Sequence, residues 1–288
     1  MRRPTAAVAS VVLLIASAVL SRQRTRWWLR QRWLSWWLVE RDMRDFGNIR
    51  LVGGVDVSFI KDSDTDACAC LVVLDASTLT VVWHRCRRVV LNAPYIPGFL
   101  AFREVGFLIA LLDELRAESP QLLPEVIMVD GNGVLHPSRF GLACHLGVLS
   151  GVPTVGCGKT LHHVDGLTVK AVKSLYSNMT HRFASAKLVG RSGAVWGALL
   201  RTSKSVDEAS FKPVIVSVGH GISLDSAIAL TVLLTKHRIP EPVRQADLRG
   251  REWLRQYGAA ADPNVPRDTC TRGSDSTSAS LPNVFDTA

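Results

Sequence analysis

Two aspartates interrupt apolar segments, and they are the first sign of chemistry in this sequence. Asp56 lies within VGGVDVSFI, and Asp130 ends EVIMVDG. A carboxylate buried in a β-strand is unfavourable by several kcal/mol unless a partner compensates its charge. A salt bridge would explain either residue by itself. Because neither segment carries a Lys or Arg, the two together favour a cation that they share.

Other polar residues are ordinary in their local context. Glu104 and Asp247 lie on predicted helices, where acidic side chains are usually solvated, and His220 ends a predicted strand. The segment VGCGKT imitates part of a phosphate-binding loop but lacks its first Gly, and no G-x-G-x-x-G is present. The sequence therefore gives no support to a nucleoside triphosphate site.

The apolar periodicity predicts one α/β domain with a mixed sheet. Strands over 49–60, 66–77 and 79–90 are separated by short turns, which favours an antiparallel meander. Further strands are predicted over 124–133, 152–158, 193–202 and 212–221, and helices over 99–118, 139–151, 223–238 and 243–257. With 288 residues, 47% hydrophobic and 20% charged, the chain is neither disordered nor coiled coil, and it needs no disulfides.

The net charge of +9 is concentrated at the N-terminus. Residues 1–50 hold ten Arg and three acidic residues, or +7, which leaves +2 for the rest of the chain. The overall basicity therefore does not indicate a nucleic-acid-binding surface over the whole protein. The last residues, from 260 to 288, are rich in Ser, Thr, Asp and Pro and are predicted to be disordered.

The N-terminal segment leaves three interpretations open. Residues 6–20 are apolar with Arg on both sides, as in a signal peptide or anchor, but the run is shorter than the roughly 20 residues of a spanning helix. The next residues, to Phe46, hold five of the eight Trp and predict a basic amphipathic helix. This helix could lie on a membrane surface or pack its Trp on the domain, and residues 1–25 could equally have no function. Membrane association is the less favoured interpretation.

The six cysteines form no C-x-x-C pair. At least five are predicted to be buried free thiols. Cys68 and Cys70 have the wrong spacing for zinc and no second pair, so no zinc site is expected.

Five sequence blocks carry a resemblance to a known family by their residues and by their order along the chain: VGGVDVSF, NAPYIPGFLAFRE, VDGNGVLHPSRFGLACHLGVLSGVPTVGCGK, VSVGHGISL and IPEPVRQAD. Over about residues 49–250 the chain resembles endonuclease V. The resemblance implies a ribonuclease-H-like fold, which agrees with the predicted elements. We therefore expect an apolar and basic extension over 1–26, a catalytic domain over 27–258 and a disordered tail over 259–288.

The resemblance also implies an active site. Asp56, Glu104 and Asp130 match metal-binding residues, and Asp247 matches a fourth acidic residue. Phosphodiester hydrolysis needs an activated water and relief of charge on the phosphate, which Mg²⁺, or Mn²⁺ in its place, supplies. His220 matches a residue that assists the nucleophile or the phosphate, although a structural His is the alternative.

Substrate-binding residues follow from the same resemblance. Pro94, Tyr95, Ile96 and Pro97 match a wedge that helps to turn out the modified base. A pocket for hypoxanthine is expected from Gly131, Asn132, Gly133, Leu135 and His136. Lys159 matches a residue that faces the phosphate backbone. Its surroundings depart from the family, since GCGKT stands where an Ala-Lys pair is more usual, which makes its position less secure.

The residues of the third block resemble those of animal members of the family, which are associated mainly with inosine in RNA. We therefore expect a monomeric endonuclease that cuts inosine-containing single-stranded RNA, and deoxyinosine DNA less well, at the second phosphodiester 3′ to inosine. The expected location is the cytoplasm and the nucleus or nucleolus. Alternatives are a deoxyinosine-specific DNA repair enzyme, a non-catalytic inosine-binding protein and a junction resolvase. Arg85, Arg87 and Arg88 could contact phosphates or form a solvated face, and Leu100 and Leu146 are expected in the core.

Overall fold

A computed structural model describes residues 6–61, 63–203 and 212–257. The predicted disordered tail lies outside the described residues.

The described strands form one mixed sheet of eight strands in the order β3-β2-β1-β4-β5-β8-β7-β6. The strands are β1 (Leu51–Phe59), β2 (Asp66–Asp75), β3 (Val81–Val90), β4 (Val126–Val129), β5 (Thr154–Gly158), β6 (Ser185–Val189), β7 (Val195–Leu200) and β8 (Val214–His220). Strands β1, β2 and β3 pair antiparallel, which confirms the predicted meander.

Six α-helices accompany the sheet in the described parts of the chain. They are α1 (Ala6–Ser35), α2 (Ala101–Glu118), α3 (Leu142–Ser150), α4 (Val169–Ser177), α5 (Leu224–Leu233) and α6 (Glu241–Tyr257). Two of the helix ends are set by ordinary capping residues. Ser223 caps α5, since its hydroxyl accepts a hydrogen bond from the Ser226 N–H, and Gly151 ends α3 at a φ of 70°.

Parallel pairing in the centre of the sheet sets the position of the two aspartates. β1 and β5 both run parallel to β4, with Val55 and Gly156 opposite Val129. The carboxyl ends of these strands therefore meet at one edge of the sheet. Asp56 lies there on β1, Asp130 directly follows β4, and Lys159 directly follows β5. We call this edge the acidic edge.

Helices cover the sheet near the acidic edge. α2 buries Leu108, Leu112 and Leu115 in a cluster with residues of β1, β2 and β4. α6 packs closely on β1, because a Cβ at Gly54 would lie 2.1 Å from the carbonyl oxygen of Pro242. Only Gly allows this approach, which brings α6 to the strand that carries Asp56.

Helix α1 is continuous across the expected boundary between residues 26 and 27. Trp27, Gln31 and Leu34 are buried on one side of it, and the Trp27 ring stacks 5.2 Å from that of Phe102. The predicted packing of Trp on the domain is confirmed for Trp27. The helix ends at Ser35, earlier than the amphipathic pattern suggested. Among the described residues, no helix has the length and apolar character to cross a bilayer.

Several predicted details are wrong. Helix α4 and strand β6 were not predicted, and α5 ends at Leu233 rather than near 238. Leu146 is fully buried as expected, but Leu100 precedes α2 and is 41% exposed. Four of the five described cysteines are buried free thiols; the fifth, Cys86, is half-buried because β3 is an edge strand of the sheet.

Candidate active site

Asp56 and Asp130 are neighbours at the acidic edge. The backbone N–H of Asp130 donates to the carbonyl oxygen of Val55, so Asp130, directly after β4, lies beside Asp56 on β1. The Ser58 hydroxyl donates to Oδ2 of Asp56 at 2.6 Å, and Lys159 Nζ lies 2.5 Å from Oδ2 of Asp130. The structure therefore brings together the residues that the two apolar segments singled out.

The Asp56 carboxyl is hard to ionise in the absence of a cation. Its pKa is raised to about 7, mainly by burial and also by the charges of Asp130 and Asp247, against the opposing effects of the Ser58 hydrogen bond and the Lys159 charge. Asp130 and Asp247 are 74 and 191 positions away from Asp56 along the chain, so their effect on its pKa shows that the acids converge.

Glu104 joins the same group from helix α2. It is 5% exposed, and burial raises the pKa of its carboxyl to about 8, with further contributions from Asp56 and Asp130 and an opposing one from Arg103. Arg103 is itself held by a hydrogen bond of 2.6 Å to the carbonyl oxygen of Asp64. A buried Glu whose pKa is raised by two other carboxylates is more typical of a functional site than of a stable core.

Asp247 approaches the acidic edge from helix α6. It forms an ion pair with Arg251, one helical turn later. The pKa of Arg251 is raised mainly by Asp247, with smaller contributions from Asp56 and Asp130. Four acidic residues from three elements and one strand end therefore share one electrostatic environment.

This donor set fits a hard divalent cation. Carboxylate oxygens are the ligands that Mg²⁺ and Mn²⁺ prefer, and a cation would relieve the repulsion that raises the pKa values of Asp56 and Glu104. Within the described residues, no three His, Cys, Asp or Glu side chains already stand at ligand spacing. Instead, Lys159 and Arg251 neutralise two of the carboxylates. Asp56, Asp130 and Glu104 are the residues that would hold the ion.

Lys159 follows β5 and its side chain is 39% exposed. It was expected to face a phosphate, and here its ammonium group is paired with Asp130. A half-exposed ammonium at the acidic edge can reach either partner, so its placement is compatible with both roles.

His220 lies elsewhere, and the prediction that it shares the site with the acids is wrong. β8 runs antiparallel to β5, with His220 opposite Thr154 at the start of β5. By strand geometry of about 3.3 Å per residue and about 4.8 Å between strands, its backbone is roughly 14 Å from that of Asp130. Its ring is buried, its Nδ1 accepts a hydrogen bond from the Val39 N–H at 3.3 Å, and its pKa is lowered by burial. The structural alternative explains this residue.

The predicted wedge, residues 94–97, is an exposed loop between β3 and α2. Tyr95 is 62% exposed, and its ring lies 5.9 Å from the Arg103 guanidinium carbon, in cation–π contact. The Phe99 N–H donates to the carbonyl oxygen of Ile96, and Gly98, with a φ of 83°, closes this turn. The loop thus presents an aromatic ring next to the helix turn that carries Glu104.

The predicted base pocket, residues 131–136, is a loop that folds back over the sheet. A Cβ at Gly133 would lie 1.8 Å from the carbonyl oxygen of Val218, so Gly is required there. The Gly133 N–H donates to Ser217 Oγ at 2.8 Å and is not available to a base. Leu135 is fully buried in a cluster with Val164.

Two polar side chains of the same loop face different surroundings. The side-chain oxygen Oδ1 of Asn132 is buried and has no hydrogen-bond partner among the described residues. Burial, with a contribution from His162, lowers the pKa of His136 to about 4, so this imidazole is neutral at pH 7. Asn132 and His136 therefore supply the polar atoms of the loop, whereas Gly133 and Leu135 shape it.

Three residues near these groups were not predicted. Ser58 lies two residues after Asp56 on the same face of β1, and Arg251 lies four residues after Asp247 on α6. Strand and helix periodicity could have identified both. His162 approaches His136, with ring centroids 5.7 Å apart, and no local sequence signal indicates that contact.

Comparison with known proteins gives concordant matches. A family model described as endonuclease V matches residues 34–248. Human endonuclease V is 45% identical over 269 residues, which cover 88% of this chain and 94% of the human protein.

Solved structures agree. The crystal structure of the catalytic domain of human endonuclease V has a TM-score of 0.77 at 45% identity and covers 82% of this chain and 97% of that chain. Endonuclease V of Ciona intestinalis, in complex with a 24mer DNA containing an inosine followed by a ribo-adenosine, has a TM-score of 0.76 at 32% identity and covers 82% of this chain and 99% of that chain. The predicted ribonuclease-H-like α/β fold is confirmed.

Proposed function

The chain belongs to the endonuclease V family, whose members are nucleases that hydrolyse phosphodiester bonds, and we propose that it cuts inosine-containing single-stranded RNA. Deoxyinosine DNA is the weaker substrate. The cut falls at the second phosphodiester 3′ to the inosine and leaves 3′-hydroxyl and 5′-phosphate ends. The observation that carries the proposal is the convergence of Asp56, Glu104 and Asp130 beside the exposed wedge.

Asp56, Asp130 and Glu104 would hold the cation, for which their carboxylate oxygens favour Mg²⁺ or Mn²⁺. Bound there, it would supply an activated water and relieve charge on the scissile phosphate. Ser58 fixes the orientation of Asp56 through its hydrogen bond. Arg103 limits the rise in the pKa of Glu104 and so favours the ionised form that a cation needs.

Lys159 and Arg251 hold positive charge at the same edge in the absence of substrate. A cation at Asp130 would make the Lys159 ammonium available to a phosphate next to the cut. Arg251 would stay paired with Asp247, and its 61% exposed side chain could donate its remaining N–H groups to a second phosphate. Ammonium and guanidinium groups both bind phosphate oxygens, the first as a point charge and the second through paired donors.

The loop of residues 131–136 and the wedge select the base. Tyr95 presents an exposed ring that can fill the space of an extruded base. A site that donates a hydrogen bond to the oxygen of hypoxanthine would reject adenine, which carries an amino group at that position. Because the Gly133 N–H is already bonded, the donor must come from another group of the loop, and the neutral imidazole of His136 offers one N–H.

A cleavage assay tests the proposal. Four single-stranded oligonucleotides of one sequence, with inosine or adenosine in RNA and deoxyinosine or deoxyadenosine in DNA, are incubated with Mg²⁺. We expect cutting of the inosine RNA fastest, the deoxyinosine DNA more slowly and the two controls negligibly. Equal rates on inosine and adenosine substrates would contradict base selection.

The DNA repair alternative has one specific observation in its favour. The Ciona relative was crystallised with DNA in which a ribo-adenosine follows the inosine. A chain that needs a 2′-hydroxyl only at that position would cut such a hybrid as fast as all-RNA. If all-DNA is cut equally fast as well, the DNA repair function replaces the RNA function.

A further inference from the structure

A cavity of about 680 Å³ lies between helix α1 and the wedge loop. From α1 it is lined by Ser21, Arg24, Thr25 and Trp28, and from the wedge loop by Tyr95 and Pro97. The far wall is formed by residues 137 and 138, directly after the base loop, together with His162. The cavity is therefore continuous with both substrate-binding segments, although α1 has no part in the site described above.

Two neighbouring tryptophans of α1 have opposite environments. Trp27 is 3% exposed and stacks on Phe102, which anchors the helix to the domain. Trp28 points toward the cavity side and is 50% exposed. Tyr95, 62% exposed, lines the same cavity. Two accessible aromatic rings in one cavity form a platform on which an unpaired base can stack.

The charge of α1 fits an anionic ligand. Arg24 lines the cavity, whereas Arg22 and Arg26, two positions away on either side, are exposed outside it. Acidic residues are absent from the described part of α1. A basic groove with interleaved aromatic rings is the arrangement by which proteins bind single-stranded nucleic acid.

We propose that this cavity binds an unpaired nucleotide next to the inosine, with its base stacked on Trp28 and its phosphate held by Arg24. This inference rests on the proposed function, because it supposes an inosine-containing strand in the wedge and base loop. It makes α1 a part of the substrate site. A membrane surface is disfavoured because Trp28 lines a concave cavity together with the polar residues Ser21, Thr25 and His162, whereas bilayer binding needs a protruding apolar face.

The first test compares matched variants in binding to inosine-containing single-stranded RNA, with Ca²⁺ in place of Mg²⁺ to slow cutting. Trp28→Ala is expected to weaken binding about 5- to 150-fold, the range for loss of one stacked base. Trp36→Ala is the control, since Trp36 is 79% exposed and does not line the cavity. It is expected to change binding less than twofold.

Arg24→Ala is compared with Arg26→Ala in the same way. Loss of one phosphate contact should lower the slope of log affinity against log salt by about 0.7 for Arg24→Ala. Arg26 does not line the cavity, so its variant should keep the wild-type slope. Equal slopes for the two variants would overturn the assignment of Arg24.

A scan of abasic residues locates the contacted nucleotide. At one position next to inosine, removal of the base should weaken wild-type binding and leave Trp28→Ala unchanged, because the stacking partner is already absent. If Trp28→Ala and Trp36→Ala bind alike at every position, the cavity is not a nucleotide site. If Trp28→Ala instead loses binding only to anionic phosphatidylserine vesicles, α1 is a membrane-binding helix and the proposal fails.

Failure of this inference is distinguishable from failure of the proposed function. In the first case the wild-type protein still selects inosine over adenosine, and the α1 variants bind the RNA as tightly as the wild-type protein does. In the second case the wild-type protein shows no such selection.

Discussion

The two ends of the central strands use buried polar groups in opposite ways. At the acidic edge, Asp56 and Glu104 are buried close to other carboxylates, and burial together with those charges raises the pKa of both. At the opposite end, the imidazole of His220 is buried as a neutral ring that accepts a backbone hydrogen bond. The first arrangement costs free energy unless a cation is present, whereas the second is satisfied by the protein itself.

The contrast distinguishes a site prepared for a ligand from a structural contact. Burial alone does not, because Glu104 and His220 are 5% and 7% exposed. What differs is whether the surrounding groups satisfy the buried side chain: the Val39 N–H donates to His220, whereas Glu104 faces other carboxylates. At the acidic edge they raise the free energy of the ionised carboxylates that would bind a cation. The protein tolerates this loss of stability because the site needs these groups for function.

The largest expected effect is on cleavage. Asp56→Ala and Asp130→Ala should each lower the rate on inosine RNA by roughly 1,000-fold or more, which corresponds to about 4 kcal/mol of transition-state stabilisation. His220→Ala should keep the rate within about threefold while lowering the free energy of unfolding by about 1–3 kcal/mol, because a buried contact is lost. Single-turnover rates and urea unfolding measure the two quantities. A His220→Ala enzyme that folds normally and does not cut would contradict the structural role of His220.

The next effect is on stability without metal. Glu104 has a pKa of about 8 in the folded protein and 4.5 as its ordinary value. Between these values the folded state holds the proton longer than the unfolded state, so the free energy of unfolding falls as pH rises from about 5 to 8. Glu104→Gln should therefore be more stable than wild type at pH 8 by about 1–4 kcal/mol, and equal to it near pH 4.

Glu118→Gln serves as the control for Glu104→Gln, since Glu118 ends the same helix and its side chain is 48% exposed. Its free energy of unfolding should differ from wild type by less than about 1 kcal/mol at both pH values. Denaturation with chelator present measures all three proteins. A Glu104→Gln variant that is less stable than wild type at pH 8 would show that the carboxylate is stabilising.

A smaller effect concerns a buried imidazole outside the acidic edge. His145 packs against the rings of Phe102 and Phe140, and burial lowers its pKa to about 3. The unfolded state takes up the proton first as pH falls below about 6.5, so the folded protein loses stability on the acid side. His145→Leu should remove part of this loss between pH 6.5 and 4, and His136 should retain another part.

Thermal unfolding at a series of pH values tests the expectation for His145. The wild-type transition temperature should fall more steeply below pH 6.5 than that of His145→Leu. Parallel curves for the two proteins would mean that His145 is protonated in the folded state.

The smallest effect concerns the arginines of β3, whose role the sequence left open. Arg85 and Arg87 form ion pairs with Glu114 of α2, and Arg88 with Asp66. These pairs are partly exposed, so Arg87→Ala should change the free energy of unfolding by less than about 1 kcal/mol. It should also leave the salt dependence of RNA binding unchanged. A reduced salt slope would instead assign Arg87 to the phosphate backbone.

The acidic edge could be predicted because its signals are local. Asp56 and Asp130 stand out in apolar strands, and parallel strands bring their ends together without further information. Glu104 and Asp247 were identified only by resemblance, since an acidic residue on a helix is unremarkable until the helix is packed on the sheet.

The position of His220 could not be predicted from the same resemblance. Its sequence block is as distinctive as the others, but the direction of β8 decides at which end of the sheet it lies, and β8 is antiparallel to β5. Helix α4 carried a usable signal, because Thr168 caps it through the Ala171 N–H, but its nine residues and few apolar positions resemble a loop. The contact of His162 with His136 depends on tertiary structure alone.

Binding of Mn²⁺ to the protein without nucleic acid, followed by calorimetry at pH 7.5, tests the central claim most directly. The wild-type protein and His220→Gln should bind the ion with equal affinity, whereas Asp56→Asn and Asp130→Asn should weaken binding at least tenfold. Unchanged affinity in both aspartate variants, or its loss in His220→Gln, would contradict a cation site at the acidic edge.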